Sequence, residues 1–140
     1  MQISKIDAAK IRYLIAFEKY TRIKTIECFE FNESLVFVIN PSLLKIALAK
    51  RKRLQELSKF LNKKVKVLAI PLQKNEENIT KFIDSLISPN KIKNVQLKDN
   101  TLIINAGLSK ALLIGKERKN IVLLKEIFKK YFDIEKIEIK

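Results

Sequence analysis

Apolar and polar positions along this 140-residue chain fall into two successive series that follow one order. Over residues 4–20, Ala8, Ile11, Leu14 and Ile15 share one helical face, with Lys5, Asp7, Lys10 and Glu18 largely elsewhere. Ser4 followed by Asp7 reads as a weak capping box. Residues 24–31 are rich in β-formers, 32–34 turn the chain, and Leu35-Val36-Phe37-Val38-Ile39 reads as a buried strand. Asn40-Pro41-Ser42 then starts a short helix, since proline suits a first turn, with Leu43, Leu44, Ile46 and Ala47 as its buried face. After a basic turn, Leu54, Leu57, Phe60 and Leu61 stripe a second helix, and Val65 and Val67 alternate with Lys64 and Lys66 in a closing strand.

Residues 71–78 are polar, begin with Pro71 and read as a linker. The order then repeats. Ile79, Phe82, Ile83, Leu86 and Ile87 fall at i, i+3, i+4, i+7 and i+8, a helical stripe that Ser88-Pro89-Asn90 ends. Strands are expected over 91–97 and 101–105 around a turn at Asp99-Asn100. A short helix over 108–114, a turn over 115–118 and a long helix striped by Ile121, Leu124, Ile127, Phe128 and Tyr131 follow. Ile137 and Ile139 alternate with Glu138 and Lys140 in the last strand. Placing Arg51 over Arg118 brings Ser42 onto Ser109, Lys52 onto Lys119, Leu54 onto Ile121 and Leu57 onto Leu124. Each half is therefore expected to be an α+β layer, a three-stranded sheet with helices covering one face, and the domains are expected over 1–71 and 72–140.

Charge narrows the function. Lys and Arg number 29 against 15 Asp and Glu, a net +14, while 47% of residues are apolar and can fill a core. Such a balance favours polyanionic partners, nucleic acid first, with acidic protein or anionic lipid after. A general basic bias accounts for scattered lysines, but less well for the run Lys50-Arg51-Lys52-Arg53. Four adjacent cations at a helix start oppose the helix dipole, a cost best tolerated where an anion normally sits. A solvated helix face and an acidic protein surface are the other readings of that run. Unpaired backbone N–H groups at both basic helix starts add to the attraction for anions.

The chain has no histidine and one cysteine, Cys28, which reads as a small buried residue. There is no phosphate-binding Gly-Lys-Ser/Thr loop and no metal-ligand cluster; Glu76 and Glu77 sit in the polar linker without a third ligand. Phe29, Phe31 and Phe37 fit core packing better than base stacking. No signal peptide precedes the first helix, and no apolar run is long enough to span a bilayer. A cytoplasmic protein that is not an enzyme, uses no cofactor and does not bind membranes is expected.

Helix, strand, strand, helix, turn, helix, strand, built twice, resembles a tandem pair of KH domains in their prokaryotic (type II) arrangement. Over essentially its whole length the chain resembles the short archaeal NusA-like transcription termination and antitermination factors. The best local match is Leu113-Ile114-Gly115-Lys116-Glu117-Arg118-Lys119-Asn120-Ile121, similar to the family's Ile-Gly-Lys-Gly-Gly-x-Asn-Ile segment. Gly115, Lys116, Asn120 and Ile121 match; Glu117 and Arg118 replace the two later glycines. In the first half the corresponding loop, Leu48-Ala49-Lys50-Arg51, has neither glycine. KH loops clamp about four nucleotides, glycines letting phosphates approach the backbone. The resemblance implies single-stranded RNA and RNA polymerase as partners, with phosphate contacts from Gly115 and Lys116, joined by Arg118, Lys119 and Asn120. Asn120 is alternatively a local brace of the helix start. The run Lys50, Arg51, Lys52 and Arg53 is the RNA-binding candidate of the first half on its own chemistry. The alternative function is a pair of degenerate KH folds kept as a protein-interaction scaffold on polymerase or ribosome.

Overall fold

A computed structural model describes residues 5–140 of the chain, with side chains from residue 8 onward. The Ser4–Asp7 capping box lies outside the described residues. The chain divides into two compact units, Met1–Ile70 and Pro71–Lys140.

The first unit runs α1 (Lys5–Thr21), β1 (Glu27–Phe31), β2 (Ser34–Ile39), α2 (Leu44–Ala49), α3 (Arg51–Leu61) and β3 (Lys64–Ala69). Its sheet has the order β1-β2-β3, with β1 antiparallel and β3 parallel to β2. All six residues of β2, the central strand, are buried. Phe37 of β2 stacks on Phe17 of α1 with ring centroids 4.4 Å apart, and Ile23, Leu35, Ala47 and Leu57 complete that core. Phe29, Phe31 and Phe37 are all buried.

The start of β1 is later than residue 24 because the end of α1 is tied locally. The Thr21 hydroxyl donates to the Phe17 carbonyl at 2.7 Å and accepts the Ile23 N–H at 3.2 Å, while Arg22 turns left-handed (φ 64°). Asn40 caps the next helical segment: its side-chain oxygen accepts the Ser42 N–H at 2.9 Å, and a single 3-10 turn, Pro41–Leu43, leads into α2. Four large apolar residues expected on buried faces stand outside. Ile11 and Ile15 of α1 are 42% and 61% exposed, and Ala16 and Phe17 carry the buried face of that helix instead. Ile46 of α2 and Phe60 of α3 are 52% and 66% exposed, so Ala47 and Leu57 carry the buried faces of these helices.

The second unit repeats the order with α4 (Glu76–Ile87), β4 (Asn94–Lys98), β5 (Thr101–Asn105), α5 (Lys110–Ile114), α6 (Lys119–Phe132) and β6 (Lys136–Ile139). Its sheet is β4-β5-β6, again antiparallel then parallel. All five residues of the α4 stripe are buried. Phe82, Phe128 and Phe132 form an aromatic cluster with centroids 4.5–6.0 Å apart. Phe132, rather than the half-buried Tyr131, ends the α6 stripe.

Helix α4 begins three residues before Ile79 because Asn75 caps it, accepting the Asn78 N–H at 2.8 Å. Glu76 and Glu77 therefore lie in the first turn of a helix rather than in a linker, where the dipole favours them. Glu76 also accepts the Leu97 N–H at 2.7 Å. Residues 91 and 92 leave the β4 ladder because the Asp84 carboxylate accepts the Ile92 N–H at 2.9 Å, while the Lys93 N–H still donates to the Asn105 carbonyl of β5 at 2.8 Å.

Candidate nucleic-acid interface

The turn between α5 and α6 is set by three consecutive backbone constraints. Gly115 has φ 76° and ψ 168°, and its N–H donates to the Ala111 carbonyl at 2.9 Å. A 3-10 turn over Lys116–Arg118 follows, in which Glu117 (φ 56°, ψ 30°) and Arg118 (φ 61°, ψ 22°) are both left-handed. These are the two positions where the resembled motif carries glycine. The main chain thus keeps a glycine-like path with side chains added, at about 1–2 kcal/mol for each residue.

Asn120 explains why Gly115 is glycine. Its side-chain amide donates to the Leu112 carbonyl at 2.8 Å, and the residue is 7% exposed. A Cβ on Gly115 would lie 2.7 Å from Asn120 Cγ. The local brace expected of Asn120 is present in this hydrogen bond.

The amides are less available than a bare helix start implies. The Arg118 N–H donates to the Gly115 carbonyl at 3.1 Å, and the Lys119 N–H to that of Lys116, so the 3-10 turn uses two of them internally. What faces solvent is charge: Lys116, Arg118 and Lys119 are exposed and form no ion pair among the described residues. Glu117 is exposed beside them.

In the first unit there is no loop over 48–51. Leu48 and Ala49 belong to α2, Arg51 begins α3, and Lys50 alone makes the turn (φ −89°, ψ 44°). No residue of that turn needs a left-handed backbone, which is why glycine is dispensable there. Lys50 itself is half-buried, its Nζ donating to the Thr21 carbonyl at 2.6 Å and so tying the end of α1 to the α2–α3 turn. Its ammonium also complements the negative end of the α1 dipole. Lys50→Met is expected to cost about 1–2 kcal/mol, the worth of a charge-assisted hydrogen bond, against about 0.5 kcal/mol or less for exposed Lys52→Met. Urea unfolding of the two variants checks this.

The remaining cations of the run diverge. Arg51 lines a groove of about 390 Å³ with Leu54 and Ser58 of α3 and Lys64, Val65 and Lys66 of β3. Burial, and secondarily the neighbouring Lys64, lowers the Lys66 ammonium from its usual range. Keeping Lys66 charged therefore costs stability below its folded pKa, a cost that fades as pH rises toward the unfolded value; a bound phosphate would offset it. Lys52 and Arg53 lie on the other side of the helix start, where Arg53 pairs with Glu56 at 3.2 Å across exposed side chains. Three cations and no carboxylate occupy the first turn of α3. Unit one carries fifteen Lys and Arg against six Asp and Glu, a net +9, and unit two fourteen against nine, a net +5.

Lys64 and Lys66 line the groove between α3 and β3 although the sequence did not single them out. Their period-two alternation with Val65 and Val67 on an edge strand was the available signal. The single cysteine is closed off: burial pushes the Cys28 thiol up to about 12, so it stays protonated. Cys28 is expected to resist a thiol reagent at pH 8 in the folded protein and to react at once in denaturant. Among the described residues no cluster of three or more His, Cys, Asp or Glu is placed to hold a metal, and no helix is long and apolar enough to cross a membrane.

No protein-family model matches the chain. It is 26% identical over 141 aligned positions to the probable transcription termination protein NusA of Thermoplasma acidophilum, covering 96% of this chain and 94% of that one. Among solved structures, the crystal structure of APE1850 matches with a TM-score of 0.54 and 22% identity, covering 95% of this chain and 99% of that one. The fold, two small three-stranded sheets with helices, fits KH-like domains.

Proposed function

We propose that the chain is a non-catalytic cytoplasmic transcription factor that binds single-stranded RNA and acts with RNA polymerase in termination or antitermination. On this reading residues 1–71 and 72–140 are two type II KH domains in tandem. The observation that carries it is the repetition: both units follow one strand and helix order, and each places exposed, largely unpaired cations at the same helix start. The whole-length similarity to a protein named for transcription termination supports the biological setting.

The chemistry follows from the two starts. Lys116, Arg118 and Lys119 present ammonium and guanidinium groups to a phosphate backbone, the guanidinium in bidentate fashion. Arg51, Lys64 and Lys66 do the same across the α3–β3 groove, whose apolar floor of Leu54 and Val65 offers contact to a base. Affinity then comes mainly from charge, with weak sequence preference. For about four neutralised phosphates, the logarithm of the association constant falls with log salt at a slope of roughly −3. Fluorescence anisotropy of a labelled oligouridylate titrated at several salt concentrations tests this; binding without salt dependence, or none at low salt, contradicts it.

One observation favours the scaffold alternative. The α5–α6 turn uses two of its amides internally, and the first unit has no loop at all, so neither start is the open glycine cradle of a KH loop. A degenerate pair docked on polymerase or ribosome would keep its protein partners when the loop cations are removed.

A further inference from the structure

We propose that the first unit has a second phosphate-binding cleft, on the α1 side of the α3 start and separate from the α3–β3 groove, that grips an RNA strand running beyond that groove. The inference rests on the RNA-binding reading above and adds a site to it.

The cleft has a volume of about 560 Å³, within the range of small-molecule sites. Its charged lining is Lys19 and Arg22 from the end of α1 and Lys50, Lys52 and Arg53 from the α2–α3 turn; no carboxylate lines it. The carbonyl end of α1 accounts for part of this charge, since cations are favourable there and Lys50 is bound to the Thr21 carbonyl. It does not account for the rest. Lys19, Arg22 and Lys52 form no ion pair among the described residues, and Arg53 has only its solvent-exposed pairing with Glu56. Five cations facing one concavity repel each other, and a phosphodiester placed among them relieves that repulsion.

An aromatic surface adjoins the charge. Tyr20 lines the cleft, and its ring centroid lies 5.6 Å from that of Phe60, which is 66% exposed. Phe60 sits where the helical stripe would bury an apolar residue, yet two-thirds of it is exposed, its ring against the cleft-lining Tyr20. Alternating charge and stacking surface is what a single strand needs: phosphates on the cations, a base on the ring. An acidic peptide would use the charge and leave the rings idle. The placement of the basic run points the same way, because Arg51 opens on the groove while Lys52 and Arg53 open on the cleft. One helix start thus presents cations on two sides, and a polyanion with evenly spaced charges can cross it.

The test uses the full chain, labelled oligouridylates of four and twelve nucleotides, and the variant Lys19→Gln/Arg22→Asn. Asparagine tolerates the left-handed backbone that Arg22 adopts, so the fold should persist. The variant is expected to bind the four-mer within twofold of the parent, and the twelve-mer roughly 5- to 20-fold more weakly. Its salt slope on the twelve-mer should be shallower by about 1.4, the contribution of two cations. Phe60→Ser should weaken the twelve-mer alone, with the melting temperature lowered by no more than a few degrees for the lost contact with Tyr20. Equal binding of the twelve-mer by variant and parent overturns the cleft while leaving the proposed function standing, and so does an equal loss on both lengths. A parent protein that binds neither oligomer overturns both. A polyglutamate peptide that binds the parent more tightly than the twelve-mer, and is lost in the variant, assigns the cleft to acidic protein and overturns the RNA assignment.

Discussion

Gly115→Ala is expected to lower the stability of the second unit by about 3 kcal/mol and to abolish whatever the α5–α6 turn does. Two costs add. A side chain at φ 76° and ψ 168° is strained by about 1–3 kcal/mol. The new methyl would also stand 2.7–2.9 Å from Asn120 Cγ, Nδ2 and Cβ, so the amide must swing away and leave the Leu112 carbonyl without that donor, another 1–3 kcal/mol. Gly107→Ala is the control. Its φ is also positive, at 60°, but the nearest neighbour is the flexible Lys93 side chain at 3.2 Å, so only the backbone penalty of about 1 kcal/mol remains. Because the Gly115 effect runs through Asn120, Gly115→Ala and Asn120→Ala should cost less together than separately, which a double-mutant cycle in urea measures.

Lys116→Ala/Arg118→Asn is expected to weaken RNA binding about 10- to 50-fold at moderate salt and to make the salt slope shallower by about 1.4. Both side chains are exposed, and asparagine suits the left-handed position of Arg118, so the melting temperature should hold within a degree or two. Glu117→Gln should act oppositely, raising affinity several-fold by removing the only carboxylate in the turn. If the units serve as a scaffold instead, neither change moves RNA affinity, and capture of polymerase or ribosomal partners is unaltered in both.

The layout was legible because it rests on periodicity. The α4 stripe needs five apolar residues at helical spacing, and the Thr101–Asn105 strand needs a short β-forming run, Leu102-Ile103-Ile104, after a turn; both are local signals. The repeat itself was legible from the matching basic starts. Element edges were decided by side-chain hydrogen bonds that spacing does not encode: Asn75 starting α4 early, Thr21 holding the end of α1, Asp84 drawing Ile92 out of its strand. Phe60 and Ile46 lie on the apolar stripes by sequence, but the helices pack through Leu57 and Ala47, which leaves Ile46 half exposed and Phe60 two-thirds exposed with its ring against Tyr20.

The candidate site was only half legible. The cations at both starts stood out in the sequence, but their directions did not. Lys50 in the turn and the three cations that open α3 point in different directions, so one run supplies a groove residue, Arg51, and three cleft residues, of which Lys50 is also the tether to α1. The missing glycines also misled in different ways. In the first unit a one-residue turn removes the need for them. In the second, Glu117 and Arg118 adopt the left-handed backbone anyway.

Photo-crosslinking the full chain to an oligonucleotide carrying 4-thiouridine, followed by mapping of the modified peptides, tests the central claim most directly. The account predicts adducts within residues 48–66 and 112–121, competed by unlabelled RNA and by salt. Adducts confined to other segments, or none under conditions that crosslink a known RNA-binding domain, would contradict it.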